Sequence, residues 1–354
     1  AMLKKFRRGG LVRPRAVFRS SPNWRRVAAG LLFLVMPAAA PADFHYVSIS
    51  SSNPPVPPYL SWDDAATNIQ DAISVAADSD TVWVADGTYL SGAVFESRIA
   101  ITNRITVQSQ NGPDRTTLDG LSSVRCAYLA SGAVLSGFRL ISGYTTNNGG
   151  GAECQMGAVV SNCIIQSNMA DRWGGGVYQG FVLNSIIQGN RALGGGGVAG
   201  CQDPDIVLNC IIRSNSSSYG GGASYSWLRN CLVHDNTATS GAGGTEWCYL
   251  ENCTVTFNIG SEAGGVLGAS NFNSIVFSNS PPEYVSGGRD WWSFCCTTPH
   301  PGGTGNISSL PKFVYEYGKD FRLLSNSPCV NAGSNLPWMA TATDLDGNPR
   351  IQGG

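Results

Sequence analysis

The sequence predicts an all-β solenoid, a right-handed parallel β-helix with a short N-terminal capping helix, and three observations carry that expectation. A seven-residue phrase that opens and closes on Asn returns six times between residues 162 and 279, at spacings of 22, 25, 21, 22 and 21 residues. Glycine clusters stand between the phrases, at 174–176, 194–197, 220–222, 243–244 and 264–265, with 149–151 beginning the series. The fourth residue of each phrase is β-branched: Ile165, Ile187, Ile212, Val233, Val255 and Val276. A period of 20 to 50 residues marks stacked repeats, and these columns say which kind. Alternate positions of a strand face one side. The β-branched column therefore points inward with the small residues two places earlier: Cys163, Ser185, Cys210, Cys231, Cys253 and Ser274. A leucine ladder or paired helices, as in other solenoids, is not present.

Taken in order, the chain opens with an expected export segment over residues 1–42. Nine bases and no acid precede the apolar run from Val27 to Met36, which is too short for an ordinary membrane span. The small residues 38–42 suit cleavage, although an N-terminal membrane anchor fits the same pattern. Arg25-Arg26 hints at a twin-arginine route. Residues 43–60, rich in Pro and Ser, read as a linker, and 61–80 as a capping helix. Ser61-Trp62-Asp63-Asp64 resembles a capping box, and Ala65, Ile69, Ala72, Ile73 and Ala76 follow helical spacing. The β-helix proper is expected over 81–354, starting at the strand Thr81-Val82-Trp83-Val84 and finishing in a C-terminal closing segment.

Within each phrase the Asn residues have a physical purpose. Asn tolerates left-handed backbone angles, and stacked Asn side chains hydrogen-bond along a column. The outward column Gln166, Gln188, Arg213, His234, Thr256 and Phe277 varies as a surface does. A single coil cannot bury its own inner face, so stability comes from stacking.

Charge narrows the partners. Only 13% of the residues are charged, and β-branched and aromatic residues are plentiful, which excludes a charge-rich helical protein and a disordered one. Without the first 42 residues, 14 bases face 24 acids, a net charge of about −10. Such a body repels nucleic acid, while calcium and neutral or cationic partners suit it. No cofactor is expected, and no membrane span follows residue 42.

Three passages carry a family resemblance. The first is Ala66-Thr67-Asn68-Ile69-Gln70-Asp71-Ala72-Ile73 with Asp86-Gly87-Thr88-Tyr89. The second is the Asn-Cys-Ile-Ile phrase itself. The third is Ser327-Pro328-Cys329-Val330-Asn331-Ala332-Gly333, followed by Asp344-Leu345-Asp346-Gly347-Asn348-Pro349-Arg350. On these, residues 60–354 resemble exported bacterial β-helix proteins of the pectate-lyase-like superfamily, in particular those with a choice-of-anchor Q region. The pairs Asn168 with Ala170, Asn190 with Ala192 and Asn236 with Ala238 are also similar to repeats of chlamydial polymorphic outer-membrane proteins. The resemblance implies the fold, a secreted, periplasmic or cell-surface location, and, for the lyases, proton abstraction beside a uronate carboxylate by Arg or Lys with acid-bound calcium.

Two groups could carry function. Arg213 and His234 share a column in adjacent coils and Asp235 follows, so these three are the catalytic candidates, set against a solvated surface pair. Trp173, Tyr178, Tyr225, Trp227 and Trp247 lie in or beside the corners, outside the core columns. An outward aromatic row would stack on sugar rings; the alternative is packing between neighbouring corners. Tyr225 and Trp247 hold equivalent places in adjacent coils and are expected to stack on one another. Glu153 and Glu246 share a column four coils apart. The stacked cysteines read as buried thiols, since side-by-side Cβ atoms about 4.8 Å apart suit a disulfide poorly. Cys295-Cys296 with His300 is too small a set for zinc, and Asp344, Asp346 and Asn348 read as a turn. Two functions follow from these groups: a surface protein that binds polysaccharide or cell-surface glycans, or a polysaccharide lyase or hydrolase acting on the flank of the rod.

Overall fold

The computed structural model describes residues 42–285 and 290–351; the expected export segment lies outside the described residues except for Ala42. The first coils pass through three strand positions and the middle ones through four, and these stack into four faces of parallel strands. Face 1 has eleven strands, from Phe44–Val47 to Trp291–Ser293, and face 2 has ten, from Gly87–Tyr89 to Cys296–Thr297. Face 3 has six short strands, from Tyr144–Thr145 to Ile259–Gly260, and face 4 has nine, from Ser97–Ile101 to Tyr284–Val285. The six phrases occupy face 2 in uninterrupted register.

The expected inward ladder forms. Ile165, Ile187, Ile212, Val233, Val255 and Val276 are each 0% exposed and stack strand on strand. The small column is buried beside it, and here Cys and Ser are equivalent for a visible reason. Each side chain donates to the carbonyl two residues back: Cys163 to Ser161 at 3.1 Å, Ser185 to Leu183 at 2.7 Å, Cys231 to Arg229 at 3.2 Å and Ser274 to Phe272 at 2.9 Å. No disulfide joins the stacked cysteines.

The two Asn residues of a phrase divide the work. The first (Asn162, Asn184, Asn209, Asn230, Asn252, Asn273) takes the left-handed conformation, with φ from 49 to 55°, and turns the chain from face 1 to face 2. The second builds a ladder between faces 2 and 3. The Asn190 Oδ1 accepts from both the backbone N–H and the side-chain amide of Asn168, and the pattern repeats through Asn215, Asn236, Asn258 and Asn279. Glu283 ends it, its carboxylate accepting the two donors of Asn279.

The N-terminal end differs from expectation. The stretch read as a linker contains the strand Phe44–Val47, which pairs with Thr81–Val84 and starts face 1. The helix is shorter than expected, Ile69–Val75, with Asn68 as its N-cap. Ser61 and Asp64 make the local bond of a capping box at 3.2 Å, but it closes a turn. Ala66 explains why: its N–H donates to Tyr46 and its carbonyl accepts from Ser48, which draws residues 65–66 into an extended bridge with Val47. Ile69, Ala72 and Ile73 then bury against the first coil, as a cap requires.

The C-terminal segment ends the coils and folds back. Phe313–Tyr315 and Asp320–Leu323 form an antiparallel pair. That pair and the loop up to Arg350 lie over the outer side of face 2 and the adjoining corner of face 1, bonding Asp235, Asn230, Glu251 and Asn273. Among the described residues, no helix is long and apolar enough to cross a membrane.

Candidate functional site

Face 1 and the corner that leads into it present the aromatics. Tyr225 and Trp247 both take the left-handed conformation at the turn from face 4 to face 1. Two residues on, Trp227 begins a face 1 strand whose next residue, Leu228, points inward, so Trp227 points out. Its outward column continues through Tyr249 and Ser270 to Trp291. Tyr225, Trp227, Trp247 and Trp291 are 44, 39, 38 and 52% exposed, a large solvent share for side chains of this size. The Trp227 and Tyr249 rings lie 5.5 Å apart, and Trp291 stacks on Phe272 at 5.9 Å and 13°.

The expected Tyr225–Trp247 stack does not form, because each ring leans onto a different neighbour. Tyr225 meets Trp173 edge-on at 5.7 Å. Trp247 lies over Gly268 of the following coil, where a Cβ would come within 2.6 Å of the indole. Trp173 covers Gly194 and Tyr178 covers Gly200 in the same way. Glycines at the next corner thus make room for aromatic rings, and Trp173 and Tyr178 are half-buried by it. Both readings of the aromatics hold in part: Trp173 and Tyr178 pack between corners, while Tyr225, Trp227 and Trp247 also face solvent. Sequence reasoning passed over Trp291 and Phe272; counting one period on from Tyr249 and Glu251 leads through Ser270 to Trp291 in one column and to Phe272 in the next.

Arg213, His234 and Asp235 come together, and the closing segment packs on His234 and Asp235 but leaves Arg213 open. Arg213 and His234 are register partners on face 2. They lie beyond face 1 from Tyr225 and Trp247 and do not edge the aromatic row. His234 is 4% exposed, packed 5.2 Å from the Phe321 ring of the closing segment. Its Nδ1–H donates to the Asp235 carboxylate at 2.7 Å, and Lys319 Nζ donates to the other Asp235 oxygen at 2.6 Å. Burial pushes the His234 imidazole below its usual value, with Asp235 opposing the shift and Arg213 and Lys319 adding to it. The column expected at the surface is therefore covered from His234 onward: Thr256 and Phe277 are buried as well. His234 and Asp235, through Phe321 and Lys319, fasten the closing segment to the rod.

At the edge of the aromatic row stand Arg229 and Glu251, paired at 3.0 Å. Trp338 of the closing segment lies 5.0 Å over the Arg229 guanidinium and donates to Glu251. On face 4, Glu153 and Glu246 share a column four strands apart, as expected. Glu153 pairs with Arg125 at 2.5 Å beside Phe95 and Tyr128. That guanidinium also donates to Ser97, Asn148 and Gly149, so it is fixed within the protein frame. His300 donates to Asn306 and accepts from Gly302, away from any metal role with Cys295. Asp344 closes a turn by accepting from the backbone of Asp346 and Asn348.

No protein-family model and no curated protein sequence matches the chain. Among solved structures, it is similar to the pectate lyase Pel9A, with a TM-score of 0.53 at 13% identity over 87% of each chain. A rhamnogalacturonan lyase aligns over 72% of each chain at 15% identity, with a TM-score of 0.38. Together with the four parallel faces, the first of these likenesses establishes the fold: this chain is a right-handed parallel β-helix, the fold of that lyase.

Proposed function

We propose that this is an exported or cell-surface protein that binds a polysaccharide along one flank of its rod, on the row formed by Tyr225, Trp227, Trp247, Tyr249 and Trp291. One observation carries the reading: an outward aromatic row on an acidic body, running along the rod axis through successive coils and interrupted at Ser270. Stacked strands place the row's members at multiples of about 4.8 Å, which suits a ligand that is itself a chain of repeating rings. Aromatic faces bind the apolar face of a sugar, and the part-exposed Arg229, held by the buried Glu251, offers hydrogen bonds at the edge. A lyase acting on an acidic polysaccharide is the second reading, and the pectate-lyase-like fold favours it; fold alone does not fix chemistry.

Glycan-array screening followed by calorimetric titration tests the first reading. Trp227→Ala and Trp247→Ala should each weaken binding about tenfold or more, as removal of an interface anchor does. Equal affinity in folded variants and wild type would remove this flank as the site. Growth of unsaturated-product absorbance on a uronate polymer would instead establish the second reading.

A further inference from the structure

Cys296 interrupts a column. The outward residues that precede it on face 2 are Ile164, Ile186, Ile211, Leu232, Thr254 and Ile275. A thiol replaces them only at the last strand, where the closing segment comes down. Cys329 is the single cysteine of that segment, and of the eleven it is the one that is not fully buried. Both line a cavity of about 810 Å³ between face 2 and the closing segment, and their thiols hydrogen-bond to each other. Cys296 is steadied by the Ser309 carbonyl at 3.1 Å. Cys329 is steadied by its N–H on Ser327 Oγ at 3.1 Å, and Ser327 in turn donates to the Pro311 carbonyl. The ladder cysteines Cys210, Cys231 and Cys253 also meet thiol to thiol, but their side-by-side placement on adjacent parallel strands suits a disulfide poorly. Each of them also bonds the carbonyl two residues back, whereas Cys296 and Cys329 approach from two separate elements.

We propose that Cys296 and Cys329 are a disulfide-forming pair that ties the closing segment to the last coil of the rod. The structure holds both as thiols, so an external disulfide, either a low-molecular-weight one or an oxidised dithiol protein, must accept two electrons. Cys329 attacks first. It is the more accessible, and its hydrogen bond with Cys296 holds it below the usual thiol value while Cys296 is pushed well above. The Cys329 thiolate displaces one thiolate from the external disulfide and becomes a mixed disulfide. Cys296 then loses its proton, attacks Cys329 Sγ and releases the second thiolate. Two protein thiols are oxidised and one external disulfide is reduced to two thiols.

The test uses the full chain and glutathione disulfide as oxidant. After incubation the folded protein is quenched in denaturant with excess alkylating reagent, digested without reductant and mapped by mass spectrometry. The expected result is the loss of alkylation at Cys296 and Cys329 with the appearance of their linked peptide, and return of alkylation at Cys296 in Cys329→Ser. A second readout needs no variant: after proteolytic cleavage between residues 298 and 328, the C-terminal fragment should stay attached until reductant is added. Alkylation of both residues in the oxidised wild type, or glutathione held on Cys329 with Cys296 still free, would overturn the pairing.

Discussion

One outer column of face 2 has two halves with opposite surroundings. Gln166, Gln188 and Arg213 form its open half, where Gln188 donates to Gln166 at 2.8 Å and Arg213 donates to Gln188 at 2.9 Å. His234, Thr256 and Phe277 form its roofed half, buried under the closing segment. The backbone register is the same throughout. What changes is the chemistry of the outward side chain, from amides and a guanidinium to an imidazole, a threonine and a phenyl ring. In a solenoid, then, a drift of composition along an outward column marks where another part of the chain comes to rest. The inward ladder keeps one chemistry across that boundary, β-branched and aliphatic throughout, changing only from Ile to Val.

That contrast can be broken most forcefully from the inside. Ile212 belongs to the inner ladder, which the roof does not touch, and Ile212→Ala should cost about 2–5 kcal/mol, the range for a truncated buried aliphatic. Denaturant unfolding followed by far-UV circular dichroism reads it. A loss below about 0.5 kcal/mol would mean that the ladder is not the core.

Phe321→Ala should cost less, about 1–3 kcal/mol, since this ring is only half-buried although it touches His234, Phe257 and Phe313. The effect should be confined to the roof. Limited proteolysis should cut residues 308–351 faster in the variant and leave the coils unchanged. Uniform destabilisation of coils and closing segment together would show that the two halves are not separable.

The same contrast explains what the sequence disclosed. The inner ladder and both Asn columns were legible because their environment recurs every 21–25 residues, and recurrence is a signal in one sequence. The strand Phe44–Val47 was hidden because it carries neither the Asn nor the Gly punctuation and sits in a Pro/Ser stretch. The helix start moved to Asn68 because pairing of Ala66 with Tyr46 and Ser48 outweighed a local capping pattern. The outward setting of Tyr225, Trp227 and Trp247 could be inferred from their place beside the core columns. Their mutual stacking could not, since it depends on which neighbouring corner carries glycine. The burial of His234 was beyond reach: its partner Lys319 acts through Asp235 across 84 residues, with no period linking them.

Acid should loosen the roofed half. The unfolded His234 takes up a proton near pH 6.5. In the folded protein burial comes first, and Arg213 and Lys319 assist, in holding its value lower against the pull of Asp235. Between the two values the unfolded chain binds more protons, so stability rises with pH there. The contribution is complete above about pH 6.5 and is lost as pH falls through the folded value. Asp235 adds a second, more acid window: burial raises its carboxyl, but the bonds from Lys319 and His234 outweigh that and hold it below the ordinary carboxylate value. Its share is lost only as pH falls through that lower value. Melting temperatures from pH 8 to 5 should decline for wild type and less so for His234→Gln; parallel curves would remove His234 from the account.

The smallest effect is expected in the open half, at Gln188→Ala. Gln188 bridges Gln166 and Arg213 in a chain of side-chain hydrogen bonds along the rod, an arrangement that looks as deliberate as the buried Asn ladder. The difference is water. When Asn236 is removed, its donors and acceptors lie where no solvent reaches, and stranded buried groups are costly. When Gln188 is removed, Gln166 and Arg213 turn to solvent and keep their hydrogen bonds. The change in stability should therefore stay within about 0.5 kcal/mol, read as a melting shift of a degree or so. A loss as large as that of Phe321→Ala would mean that the open half is also covered in solution, by something that packs on Gln188 as the closing segment packs on His234.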